Sequence, residues 1–264
     1  SPESFISITR IKDSDNYTYT HSVNVAVIAI YLGKRLGFSE QELHNLGFAG
    51  LMHDIGKMQI HEQILNKPGK LTNGEFTVVK MHALKGYMYL KSVGVTENSI
   101  LTAVLHHHEK ADGSGYPKAL MDSQIPKFAK ILSVVDVYDA ITSDRAYHKG
   151  ILPSDAMKLL FSWSGKRFND ALVRFFISIM GIYPAGTLIM LDTNELAVTL
   201  EPNKSASLRP TVLIVTDENM APVEPYSFDL SSRNVATQAF HKSIVSAVNA
   251  KDFNINISQY VQQS

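Results

Sequence analysis

The run His53-Asp54-Ile55-Gly56-Lys57 constrains this chain more than any other stretch. Leu46 to Met52 before it are mostly apolar, so the histidine and the carboxylate are carried into a core. Polar groups taken out of water need partners there. An imidazole beside a carboxylate offers nitrogen and oxygen donors from adjacent positions. Carboxylates can bridge two cations, and imidazole suits iron, zinc, nickel and copper. Gly56 reads as the helix stop that frees the backbone to turn, and Lys57 brings a cation within three residues of Asp54. For this pair alone, the plainer alternative is a capped helix end with a satisfied core histidine, because short motifs are weak on their own.

The pair has company. Seven of the ten histidines (His21, His44, His53, His61, His82, His106 and His107) precede residue 108. His108 follows at once, and only His148 and His241 lie further on. Even scatter would not produce that, so the site is expected in the first half. His21, Val25, Ile28 and Leu32 recur on one face of a helix over Thr20 to Leu36,. Ser39 to Glu42 is a capping box that opens a second helix running to His53-Asp54,. Thr72 to Glu75 caps a third, expected to run to about Val93 with His82 in its middle,. A fourth opens at Thr96 and ends in His106-His107-His108-Glu109.

The loop that follows carries Gly113 and Gly115, which permit positive φ or close backbone approach. Tyr116 and Pro117 come directly after them. A solvated turn is the alternative, but three histidines and an aromatic beside the glycines are unusual in a linker. Phe128 to Thr142 is strongly apolar yet contains Asp136 and Asp139, one turn apart on one face. Such carboxylates need a cation or donors. Arg145, His148 and Lys149 form a small basic group suited to a phosphate, with a solvated charge run as the equal alternative. Helices at Ser154–Trp163 and Asn169–Met180 complete a bundle.

Five imidazoles (His21, His53, His82, His107, His108) and two carboxylates (Asp54, Asp136) are too many for one tetrahedral ion,. Shared through Asp54, they suit two octahedral ions with room for water. Two ions about 3.5–4 Å apart can hold a hydroxide between them and clamp an in-line phosphoryl displacement. An all-nitrogen-and-oxygen set points to iron or manganese over a structural zinc.

Composition excludes several other chemistries. Lys+Arg 25 balances Asp+Glu 25, so no bulk field attracts a nucleic-acid polymer or an anionic membrane. The absence of cysteine rules out disulfides and thiolate chemistry and fits a reducing cytoplasm, where the chain is expected. No apolar run reaches the ~18 residues of a membrane span, and no secretory signal opens the chain. Ser1 is not a methionine, which fits an excised piece of a longer protein. With 264 residues, 45% of them hydrophobic, the chain supports one large core and a small satellite. Composition shifts at Ile182-Tyr183-Pro184. Strands are expected at 187–191, 196–200 and 211–216, followed by a helix at Val235–Val248,. The fold class is therefore read as mainly α: a helical bundle over 1–182, with a small β-rich C-terminal appendage over 183–264 that ends in a helix.

Four stretches together resemble the HD-GYP branch of the HD phosphohydrolases. They are His53-Asp54-Ile55-Gly56-Lys57; Asn66-Lys67-Pro68-Gly69-Lys70-Leu71-Thr72; His107-His108-Glu109 through Gly115-Tyr116-Pro117; and Asp136 through Arg145. The resemblance spans about residues 17–182, and the tail resembles a segment that follows this domain in some members. It implies an HD-type helical bundle and a metal-dependent phosphodiesterase converting cyclic di-GMP to linear pGpG, and in some members to GMP. Attack by a metal-bridging hydroxide would do the chemistry. By position, His21, His53, Asp54 and Asp136 would hold one ion, and Asp54, His82, His107 and His108 the other. Lys57 would face the scissile phosphate, and Arg145 would contact phosphate. Gly115 and Tyr116 would shape the pocket wall, and Asp139 would support a histidine ligand.

The chain departs from the pattern twice. Tyr17 stands where some members carry a glutamate for a third metal, so two ions are expected. His148 stands where the family often has Arg or Lys, a weaker phosphate ligand at neutral pH. The resemblance also implies a regulatory domain before residue 1 and a protein-docking role for the Gly-Tyr-Pro loop. Two alternatives belong to the same family: a phosphodiesterase for 3′,3′-cyclic GMP-AMP, or a non-catalytic signalling module. A third reading is a broader HD phosphohydrolase acting on mononucleotides.

Overall fold

A computed structural model describes residues 17–65, 67–144, 149–203 and 206–261. Arg145 and His148 lie outside the described residues. The chain is mainly helical, with a small antiparallel sheet near its C-terminal end. It divides into two compact units: one takes in described residues up to 140 together with 160–173, the other 141–159 and 174–261. No helix among the described residues is long and apolar enough to cross a membrane.

In the first unit, α1 (Tyr17–Arg35) packs along α2 (Glu40–Met52). The expected stripe is buried throughout: His21, Val25, Ile28 and Leu32 are all inside. Gly33 and Gly50 let the two helices close up. A Cβ on Gly50 would meet the Ala26 Cα at 2.8 Å, and one on Gly33 would meet Leu46 Cδ2 at 2.9 Å. Ser39 caps α2 with both reciprocal bonds of the capping box. After α2 comes a 3-10 turn, Ile55–Gln59, then the single turn α3 (Glu62–Leu65).

The third expected helix is two helices. Thr72 caps α4 (Asn73–Lys80) with a full capping box, and α5 (His82–Ser92) follows after Met81 alone. Met81 keeps a helical φ, but its N–H bonds back to the Val78 and Val79 carbonyls and tightens the turn. His82 therefore starts α5 instead of lying mid-helix. α6 (Asn98–His106) ends at the histidine triplet, and α7 (Lys127–Thr142) carries the two aspartates.

The remaining helices, α8 (Pro153–Ser162) and α9 (Asp170–Met180), run where expected. In the second unit, β1 (Leu188–Leu191), β2 (Leu196–Glu201), β3 (Thr211–Thr216), β4 (Pro222–Asp229) and β5 (Ile244–Ala247) form one sheet in the order β4-β3-β2-β1-β5. Alternating residues load both faces. Ile189, Ala197, Val212 and Ile214 lie in one cluster, and Leu188, Leu196, Val198 and Val215 in another. The helix expected at Val235–Val248 is not formed. Ile244–Ala247 pairs with β1 as an edge strand, and Val235 is almost fully exposed. The β-branched residues there serve sheet pairing, and the terminal helix is the single turn α10 (Ser258–Val261).

Candidate metal centre

Five helices and the turn after α2 carry polar side chains to one buried point in the first unit. α2 ends at His53, the C-cap, and Asp54 precedes the 3-10 turn. His82 opens α5, His107 caps α6 with His108 next, Asp136 sits in the buried middle of α7, and His21 lies near the start of α1. His21, His53, Asp54, His82, His107 and Asp136 are all buried.

Three histidines share one local device. The Nδ1 atoms of His53, His82 and His107 each lie 2.7 Å from the carbonyl three residues earlier, on Gly50, Val79 and Val104. A carbonyl only accepts, so each ring carries a proton on Nδ1 and aims its Nε2 inward,. His82 Nε2 and His107 Nε2 then stand 3.3 Å apart, lone pair facing lone pair. His53 Nε2 and Asp54 Oδ1 are buried with no hydrogen-bond partner. Facing acceptors and an orphaned carboxylate oxygen are groups that a cation placed between them would satisfy,.

The donors fall into two groups, each with one ligand atom per residue and all such atoms within 4.8 Å of one another. One is Asp54, His82, His107 and His108; the other is His21, His53 and Asp136. Asp54 lies between them. Its Oδ1 is 3.3 Å from His82 Nε2 and its Oδ2 is 3.3 Å from His53 Nε2. His53 Nε2 is also 3.8 Å from Asp136 Oδ1. The residues present thus fit divalent metal binding,.

Charges around the cluster are fixed by burial and by neighbours. Desolvation first pushes His82 and His107 below the usual imidazole range, with Lys57 and His53 adding to it at His82 and the neighbouring imidazoles at His107, and burial takes His108 down to about 4. These three are neutral donors at neutral pH. Burial opposes ionisation of Asp54, but His53 and Lys57 outweigh it and hold the carboxylate ionised. Burial likewise opposes a charge on His21, yet Asp136 and Asp139 raise its pKa to about 9. His21 is gripped from both sides: Nε2 is 3.1 Å from Asp136 Oδ1, and Nδ1 is 2.7 Å from Asp139 Oδ2.

The wall beside the cluster is the glycine loop. Gly113 takes positive φ, whereas Gly115 is needed for close approach: a Cβ there would stand 2.4 Å from the Lys110 nitrogen and 2.6 Å from the His108 carbonyl. The Tyr116 ring leans on His108, centroids 4.8 Å apart, and lies edge-on to His82 at 6.4 Å. Burial first, then Asp136 and Asp54, push its hydroxyl well above the usual phenol range. Lys57 Nζ bonds Asp54 Oδ2.

The structure brings together His21, His53, Asp54, Lys57, His82, His107, His108, Tyr116, Asp136 and Asp139. Two participants escaped the sequence reading. Asn24 Nδ2 donates to Asp139 Oδ1 at 3.0 Å, and its signal was a polar residue three positions from His21 on the same buried face. Glu109 is buried and accepts from the Lys118 and Leu120 amides at 2.7 and 3.0 Å, which ties the loop down. Its signal was a carboxylate wedged between the histidine triplet and the glycines.

Comparison with known proteins fits this geometry. The HD domain family model matches residues 6–172. The chain is 42% identical over 213 residues to the cyclic di-GMP phosphodiesterase PA4108 of Pseudomonas aeruginosa, covering 81% of this chain and 51% of that protein. It is 33% identical over 144 residues to the 3′3′-cGAMP-specific phosphodiesterase 1 of Vibrio cholerae, covering 54% of this chain and 33% of that protein. The chain thus spans about half the length of PA4108. The structure is similar to that of Bd1817, an HDGYP protein from Bdellovibrio bacteriovorus. The TM-score is 0.56 at 20% identity, over 67% of this chain and 56% of that one, a likeness of fold.

Proposed function

Because this chain belongs to the HD domain family and carries the motifs of its HD-GYP branch, we propose that it is a binuclear-metal phosphodiesterase. Its substrate in this reading is cyclic di-GMP, opened to linear pGpG, which some members of the family carry on to GMP. The observation that carries the proposal is the shared carboxylate. Asp54 presents one oxygen to His82 and the other to His53, at 3.3 Å each. Among the relatives, the 42% identical protein is named for cyclic di-GMP and the 33% identical one for cyclic GMP-AMP.

His21, His53, Asp54 and Asp136 would hold one ion, and Asp54, His82, His107 and His108 the other. Such a pair, iron or manganese on the strength of the all-nitrogen-and-oxygen donor set, would supply Lewis acidity and a water nucleophile at neutral pH. The residues of the chain do the rest. The Gly50, Val79 and Val104 carbonyls keep the Nδ1 protons of three ligands in place, so no ring turns its N–H toward the phosphate. Lys57 supplies positive charge at Asp54, where the phosphate gains negative charge as water adds,. The P–O3′ bond breaks, so the phosphate stays on the 5′ side and a proton goes to the departing 3′ oxygen. Gly115 and Tyr116 form the wall that excludes water from one side. Arg145 and His148 are assigned to phosphate contact on the sequence motif alone.

Within the same proposal, residues 1–182 are the catalytic part and 183–264 an appendage. A regulatory domain preceding residue 1 and a partner at the Gly-Tyr-Pro loop complete it. Anaerobic purification, metal counting and a turnover assay on one sample test the core of the reading. Near two iron or manganese ions per chain with pGpG formed supports it. Two ions with no cleavage of either cyclic dinucleotide refutes the substrate, and absence of bound metal together with absence of turnover refutes the enzyme.

A further inference from the structure

The proposed substrate carries two phosphodiesters closed into one ring, so when one sits at the cluster the other must lie beside it. That second phosphate needs a fixed cation one step away from the ligand histidines. Lys57 is already bonded to Asp54. Lys67 pairs with Glu75, and Lys85 donates to the Gln59 carbonyl.

Lys80 is different. Its ammonium lies 5.9 Å from the centroid of the Tyr116 ring and 5.2 Å from that of Phe76, and it pairs with no carboxylate among the described residues. Aromatic faces hold a cation without neutralising it. Its place is also fixed relative to the cluster. Lys80 ends α4 directly after Val79, whose carbonyl orients the His82 ring. The Tyr116 ring that it approaches also packs against His108. Tyr116 thus neighbours both His108 and Lys80, and Phe76 lies against Lys80 as well.

We infer that Lys80, held between Tyr116 and Phe76, binds the second, non-scissile phosphate of the cyclic dinucleotide. This inference rests on the proposed phosphodiester reading and deepens it: Lys80 selects a substrate with two phosphates over one with a single phosphate. Half-exposed Phe76 beside it leaves a ring face open to the adjoining base,.

The test compares metal-loaded wild type, Lys80→Met and Lys80→Arg on two substrates. One is cyclic di-GMP, with two phosphates; the other is bis(4-nitrophenyl) phosphate, with one. The readout is the ratio of kcat/KM for the first to that for the second. Loss of a charge-assisted bond predicts a fall of roughly tenfold or more in that ratio for Lys80→Met, seen mainly in KM. Lys80→Arg restores most of it. An unchanged ratio in Lys80→Met overturns the inference, as does an equal loss on both substrates, which would mean that Lys80 only props Tyr116. A wild type that cleaves the single-phosphate diester but no cyclic dinucleotide overturns the underlying substrate reading, and this inference with it.

Discussion

Gly56 lies against α5 so closely that a Cβ would stand 2.0 Å from the His82 carbonyl oxygen and 2.4 Å from the Gly86 nitrogen. The 3-10 turn after Asp54 and the helix that begins with His82 thus touch backbone to backbone. That contact sets the distance between the ligands of the two halves of the cluster. Gly56→Ala forces α5 outward, and overpacking of this kind costs about 1–3 kcal/mol. The expected result is a lower Tm together with a fall in bound metal. Gly74→Ala is the control, since a Cβ there meets nothing within 4 Å. Equal metal content in Gly56→Ala and wild type would refute the spacing role.

Asp139 acts on the cluster through His21. Its Oδ2 accepts a hydrogen bond from His21 Nδ1 at 2.7 Å, while Asn24 Nδ2 donates to its other oxygen at 3.0 Å. Replacing such an outer partner typically costs 10- to 100-fold in metal affinity or activity. Asp139→Asn should lower metal affinity by about that factor while leaving the helical signal intact, and Asn24→Ala by a smaller one. Metal titrations of the two variants check this. Wild-type affinity in Asp139→Asn would leave His21 oriented by something else.

Glu109 is the clamp of the glycine loop. Its two oxygens accept the amides of Lys118 and Leu120, across nine and eleven residues of sequence. Glu109→Ala leaves both amides without that acceptor and releases Tyr116 from its place on His108. Misplacement by an ångström can cost up to about 100-fold in rate. A large drop in kcat/KM with metal stoichiometry unchanged is therefore expected, and Glu109→Gln, which keeps one acceptor oxygen, should retain part of the activity. Loss of metal in Glu109→Ala would show that the loop supports ligands as well.

Much of this was legible in the sequence, and what was not has identifiable causes. The clustering of these side chains was readable because imidazoles and carboxylates inside apolar helices need partners there,. Gly56 was read as a helix stop, yet it does not take positive φ, and its role is the close approach to His82. Nothing local announces a contact with a residue twenty-six positions away. The break at Met81 was hidden because Thr72 to Val93 keeps helical character throughout and the interruption is a single tightened turn. In the sheet, the three strands foreseen are the three interior ones, β1 to β3, whose buried residues form continuous apolar runs. The two missed, β4 and β5, are the edges. β4 carries two prolines and charged residues, as edges do, and that composition conceals a strand,.

The last prediction concerns acid. Glu42 bonds Lys127 at 2.9 Å and so ties α2, which ends at His53, to α7, which carries Asp136. The Lys127 ammonium first, then the Ser39 amide and hydroxyl, bring the Glu42 pKa from 4.5 to about 2. A carboxyl whose pKa is lower in the folded state stabilises the fold above its unfolded pKa. That contribution disappears as pH falls through the folded value. Here the window runs from about pH 4.5 down to about pH 2. Above it, metal-free wild type should be modestly more stable than Glu42→Gln, by the small amount usual for an exposed pair. The gap should narrow steadily through the window and vanish at its lower end. Denaturant midpoints of both proteins, taken side by side from pH 7 downward, measure it. A gap that stays constant to pH 2 would mean that Glu42 acts through its uncharged cap on Ser39 and not through Lys127.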